Sequence, residues 1–149
     1  MSNLKVQGNA SGAGTQTLQS ANTSVSATLT LPDSTSADTL GYLNAPINEQ
    51  SAAYTAVAAD AGKVIFHPST DANARTFTIP ANASVAYPTG TVLTFINMTS
   101  QVVTIAITSD TLYQAGTGST GSRSLAQYGI ATAVKMTSTT WLISGNGLT

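Results

Sequence analysis

The chain has 149 residues, of which 7% are charged, and its formal net charge is −1 with no cysteine. The absence of cysteine excludes disulfides, thiolate metal sites and a cysteine nucleophile. The five basic residues Lys5, Lys63, Arg75, Arg123 and Lys135 are scattered, so no basic footprint for a phosphate backbone exists and nucleic acid is not an expected partner. No run approaches the roughly 20 apolar residues of a membrane-spanning helix, so no membrane partner is expected either.

Hydroxyls and small residues replace the missing charge: there are 25 Thr and 17 Ser. Threonine fits a pleated surface and pairs across strands. A weakly charged surface repels its own copies little, which suits a member of a long-lived assembly better than a dilute monomer.

In chain order, the opening MSNLKVQGNA has no apolar signal core, and the expectation is a chain made and kept in the cytoplasm until it assembles. From Val6 to Pro32 there is no ionisable side chain, yet Ala27, Leu29 and Leu31 alternate with Thr28 and Thr30 as a strand requires. Strands are expected near 14–19, 26–31 and 40–43. These pieces hold too few apolar residues to form a core. Residues 1–48 are therefore expected to be an extended β arm, hydrogen-bonding to the sheet edge of a neighbour and anchored by Leu18, Leu29, Leu31, Leu40, Tyr42 and Leu43. The boundary falls near Asn44 to Gln50, which carries Pro46 and the sole glutamate, Glu49.

Residues 49–149 punctuate into short strands, near 53–57, 63–67, 75–79, 91–97, 101–108, 123–127, 129–137 and 140–144. Turn residues separate them at Pro80-Ala-Asn82, Tyr87 to Gly90, Asn97 to Ser100 and Gly116 to Ser122. Ala56 to Ala61, closed by Gly62, has room for one helical turn only. The pattern predicts an all-β fold, an antiparallel β-sandwich or jelly-roll-like domain behind the arm. Several strands are apolar on both faces: Val92 and Ile96 oppose Leu93 and Phe95, and Val102 opposes Val103 and Ile105. Such strands need cover on both sides. Val92, Phe95, Ile96 and Val102 are accordingly the expected subunit-interface residues of a homo-oligomer.

Residues able to do chemistry are sparse. His67 is the sole imidazole, with Ser69 and Asp71 close behind, but a triad needs side chains converging from separate elements and an oxyanion hole opposite. The five aspartates sit at natural turn positions and do not alternate as calcium ligands do. The loop Gly116 to Ser122 lacks the Lys-Ser/Thr ending of a phosphate cradle. No catalytic residue, cofactor site or metal site is expected. Among the aromatics, Trp141 reads as core, while Tyr113 and Tyr128 are the candidate contacts for a glycan, because amphipathic rings suit sugar stacking.

The segment GNASGAGTQTLQSANTSVSATLTLPD, with the Leu40 to Leu43 step, resembles the N-terminal segments of bacteriophage virion proteins. The later Ala59-Asp-Ala-Gly-Lys63, Thr76 to Ser84, Tyr87-Pro-Thr-Gly-Thr91 and Trp141 to Gly145 resemble a small β domain of phage tail-fibre and head-decoration proteins. The resemblance implies a non-enzymatic, usually trimeric structural module and transfers no catalytic residue. It leads to the expectation of a trimeric decoration or cement protein on the capsid surface of a virion, with the major capsid protein as partner. The alternative is a tail-fibre or receptor-binding module that recognises a host glycan.

Overall fold

A computed structural model describes residues 44–149; the expected anchors Leu18, Leu29, Leu31, Leu40, Tyr42 and Leu43 lie outside the described residues. Among the described residues nine strands carry the fold: β1 Ile47–Glu49, β2 Tyr54–Thr55, β3 Val64–His67, β4 Arg75–Ile79, β5 Val92–Asn97, β6 Val103–Ile107, β7 Thr111–Gln114, β8 Arg123–Thr137 and β9 Thr140–Leu148. The one helical element among the described residues is the short 3-10 turn Ala58–Asp60. β1 straddles the expected boundary and is part of the sheet.

All nine strands join a single sheet. β3 lies parallel between β1 and β5, and β4 lies parallel between β2 and β6. The chain thus lays one strand on a first half, crosses, lays the next on a second half, and returns. Three such passes stack β1-β3-β5 on one side and β2-β4-β6 on the other. Parallel neighbours need a long crossover, and each half's crossover is provided by the strand of the other half instead of a helix.

β8 then closes the stack. Its C-terminal part runs antiparallel to β5, from Val92 opposite Val134 to Asn97 opposite Gly129, and its N-terminal part runs antiparallel to β6. β9 folds back along the free edge of β8, and β7 adds in parallel to β9. The result is a curled open sheet, a half-barrel. Five of the eight strand pairings are parallel, and one sheet is present where an antiparallel sandwich or jelly roll was expected.

A single strand serves both halves because it bends. Tyr128 has φ 59°, and the β8–β9 register shifts between Leu125 and Ile130, as at a β-bulge. The next residue must be glycine, since a Cβ on Gly129 would lie 2.6 Å from Leu125 Cδ1 and 2.7 Å from the Ala126 carbonyl oxygen. Inside the curl, Ile65, Phe77, Ile79, Leu93, Phe95, Val103, Ile105, Leu112, Leu125, Trp141 and Ile143 are buried. Each fully buried aliphatic or aromatic side chain contributes roughly 1.5–3 kcal/mol by leaving water.

Candidate assembly interface

β8 is built inside out. Its inward residues beyond the bend are Ala131, Ala133 and Lys135, all buried, while its outward residues are Ile130, Thr132, Val134 and Met136. Ile130 is 46% and Met136 49% exposed. The inward positions are small because β5 fills the space: Phe95 stands beside Ala131 and Leu93 beside Ala133. The larger apolar side chains are thus left facing solvent, the reverse of an ordinary half-buried strand.

The register extends this apolar face across the first half of the sheet. One row runs Val92, Val134, Leu142 and Tyr113 over β5, β8, β9 and β7. A second runs Ile47, Val64, Thr94, Thr132 and Ser144, and a third runs Glu49, Phe66, Ile96, Ile130 and Asn146. Ile47, at 68%, is the most exposed apolar member. Glu49, at one margin, is the only charged side chain in these rows. Strands about 4.8 Å apart and rows about 7 Å apart give a patch on the order of 400 Å². That area fits the centre of a standard interface, which buries about 800 Å² per partner.

The second half of the sheet is finished differently. Its outward rows are Thr76, Thr104 and Ser124, and Thr55, Thr78 and Ala106. Hydroxyls there need no partner but water. The asymmetry between the two outer faces cannot come from composition, since both draw on the same Thr-rich chain; it lies in the sequence positions themselves.

Of the expected interface residues, Val92 and Ile96 belong to the apolar face. Phe95 does not: it points inward beside Ala131 and is 1% exposed, because alternation on β5 puts 93 and 95 on the core side. Val102 is exposed in the β5–β6 connection, outside the three rows. Tyr113 ends the first row. Tyr128 is 71% exposed at the bend of β8, next to Gly129, whose Cα lies against Gly147. Tyr113 stands opposite Leu142, five residues back along β9 from Gly147, or about 17 Å, so the two rings do not form one stacking platform. The sequence reading missed Ile47, Ile130, Met136 and Leu142. The signal for Ile130 and Met136 is the alternation Ile130-Ala-Thr-Ala-Val134-Lys-Met136, in which two alanines and a lysine hold the opposite phase.

The buried polar groups serve the fold. His67 is fully buried and its Nε2 lies 3.0 Å from Asp71 Oδ2. Asp71 also accepts hydrogen bonds from Arg75 Nε at 2.7 Å and from the Asn73 amide. The Arg75 hydrogen bonds, then those of Asn73 and His67, hold the Asp71 carboxyl well below the usual carboxylate range. Ser69 is exposed and makes no hydrogen bond to His67 among the described residues. A second knot centres on Asp60, buried at the 3-10 turn, which accepts from Asn48 Nδ2 at 2.9 Å, Tyr54 OH at 2.7 Å and the Val57 N–H at 2.9 Å. Nearby, the Tyr87 hydroxyl donates to the Val57 carbonyl at 2.6 Å. Burial first, then the Asp60 charge, pushes the Tyr87 phenol up. Among the described residues no three His, Asp or Glu side chains gather as a metal site.

Compared with protein-family models, with curated protein sequences and with solved structures, the chain matches none.

Proposed function

We infer that the protein is a structural subunit which works by self-association, with the apolar outer face of β1, β3, β5, β8, β9 and β7 as the contact between copies. The observation that carries the reading is the inversion of β8, with Ile130, Val134 and Met136 outside and Ala131, Ala133 and Lys135 inside. A sequence under no pressure to cover that face would carry Thr or Lys outward, as the second half of the sheet does with Thr76 and Thr104. The resemblance to phage virion proteins supplies the biological setting: a homotrimer that decorates or cements a capsid as part of the virion, with no enzymatic activity. Residues 1–48 would then tie each copy to the capsid or to its neighbour.

Two measurements test this reading. Light scattering of the full chain should give a multiple of the single-chain mass, three if the trimer is right; a monomer at every concentration removes the reading. Deleting residues 1–45 should leave a folded domain that no longer binds capsids, and normal decoration by the truncated protein would remove the arm from it. The glycan reading is favoured by Tyr128, held out at the bend of β8. Glycan-array binding lost in Tyr128→Ala would move the assignment to a receptor-binding module.

A further inference from the structure

The half of the sheet that carries the apolar face ends in two edge strands, β1 and β7. The β7 edge is sealed by its own return: Gln114 N–H donates to the Ser119 carbonyl at 2.8 Å, Gly121 N–H donates to the Leu112 carbonyl at 3.2 Å, and Tyr113 bridges to Thr120. The β1 edge is not sealed among the described residues. Val64 N–H donates to the Pro46 carbonyl at 3.0 Å and Gln50 N–H donates to the Phe66 carbonyl at 2.8 Å, so Pro46, Asn48 and Gln50 turn their backbone groups toward β3. In this parallel ladder the N–H and C=O of Ile47 and Glu49 point the other way, and no described strand lies there. The edge is held in shape from its inner side, where Asn48 Nδ2 donates to Asp60 Oδ1 at 2.9 Å and Gln50 Nε2 donates to Asn48 Oδ1 at 2.7 Å. A fixed row of unpaired backbone donors and acceptors is a template for one more strand.

The geometry points to residues 26–31 of a neighbouring copy as that strand. The proposal rests on the self-association reading and names where one copy grips the next. The segment Ser26-Ala-Thr-Leu-Thr-Leu31 lies outside the described residues, and its alternation matches the two sides of this edge. Ile47 is exposed on the outer, apolar side beside Val64, whereas Asn48 faces the polar inner side with Asp60 and Gln50. With Leu29 opposite Ile47, the leucines extend the apolar face by one strand, and Thr28 and Thr30 meet the inner side, where hydroxyls find partners. The opposite phase would set leucines against Asn48 and Asp60. From Val6 to Pro32 there is no ionisable side chain, so the incoming strand brings no charge to repel Glu49. Residues 1–43 lead directly into β1, and the stretch 32–46 spans at most about 50 Å when extended, enough to cross from one copy to the edge of the next. The apolar face that starts at this edge brings the neighbour alongside it. Such a contact is heterologous: each copy gives a strand and receives one, and three of them close a ring, as a trimer requires.

The chain has no cysteine, so an engineered disulfide reads the pairing without background. Full-length Leu29→Cys and full-length Ile47→Cys proteins are unfolded together, refolded and oxidised, and their disulfides are mapped on proteolytic peptides. The expected result is a 29–47 disulfide, which joins two copies because neither chain carries both cysteines; residues opposite one another in a sheet are about 5 Å apart at Cα, within disulfide reach. Thr104→Cys in place of Ile47→Cys is the control and should give no link to residue 29. Adding Glu49→Pro to the Ile47→Cys chain should abolish the link, since proline removes an outward N–H and leaves the ladder to β3 intact. A mixture that sediments as an oligomer yet forms no 29–47 disulfide overturns the proposal and leaves self-association standing; a mixture that stays monomeric overturns both. Equal linking by Thr104→Cys, or 47–47 links in place of 29–47, which would mean that two β1 edges meet, also overturns it. So does a double variant, Leu29→Cys with Ile47→Cys, whose disulfide closes only within single chains.

Discussion

Ile130 lies in the third row of the apolar face, with Ile96 on one side and Asn146 on the other, and Ile130→Asp is the sharpest test of that face. At 46% exposure, about half of the side chain remains to be buried by a partner, worth about 1 kcal/mol of the 1.5–3 kcal/mol for a whole isoleucine. The larger effect is the carboxylate left unpaired in the contact, which costs about 3–5 kcal/mol. A loss of about 4 kcal/mol per contact weakens association by roughly a thousandfold, since 1.4 kcal/mol is tenfold. The single chain should hardly notice, because an exposed strand position shifts folding by about 1 kcal/mol or less. Sedimentation equilibrium over a wide concentration range reads the association, and a circular-dichroism melt reads the fold. Thr104→Asp, on the hydroxylated outer face, is the control and should leave association unchanged. The reasoning is refuted if Ile130→Asp assembles like the wild type, or if Thr104→Asp dissociates equally.

Gly145→Ala should destabilise the chain by on the order of 3 kcal/mol in urea titration, because the new Cβ would meet the Ile130 carbonyl oxygen and lie 2.6 Å from Ala131 Cα; an unchanged midpoint would mean that β8 and β9 do not pair as described. Phe95→Ala should cost about 3–5 kcal/mol of folding stability, while Val92→Ala, on the outer face, should mainly weaken association; the opposite assignment would reverse the faces of β5. Asp71 has a depressed carboxyl in the folded chain, so the unfolded chain binds the extra proton first. Its contribution is complete above the ordinary aspartate value of 3.8 and is lost as pH falls below it. Asp71→Asn should flatten the acid limb of the stability profile, and an unaltered slope below pH 4 would assign that limb to other carboxylates.

The strands themselves were readable because their alternation is local. β4 was expected at 75–79 and is found there, and β3, β5 and β6 differ by one or two residues at their ends. β7 escaped because Thr111-Leu-Tyr-Gln places a single apolar residue, Leu112, inward, too little for a periodic signal. β8 was divided at Tyr128 and Gly129, which read as a turn; locally they are a bend, and only pairing with β5 on one side and β6 on the other shows that the strand continues. Parallel pairing was not legible at all. It depends on residues such as Val64 and Thr94 meeting across an intervening strand of the other half, a long-range fact with no local pattern. The apolar face was half-legible: two-sided strands announced it at Val92 and Ile96, but alternation alone could not tell that Phe95 is the inner member and Ile130 the outer.

Among the described residues β8 is the only strand that pairs with both halves, meeting β5 at 129–134 and β6 at 123–125. A ribosome delivers the three earlier passes first, and until this late segment emerges their last strands have an unzipped border. The nascent polypeptide therefore exposes unsatisfied amide edges for as long as synthesis of the final segment takes, and its maturation waits on contacts of large sequence separation, which form slowly. If copies meet through the apolar outer face, as proposed, that order bears on assembly. β8 and β9 bring Ile130, Val134 and Leu142 to that face last, together with the seam, so the whole surface exists only once the interior is closed.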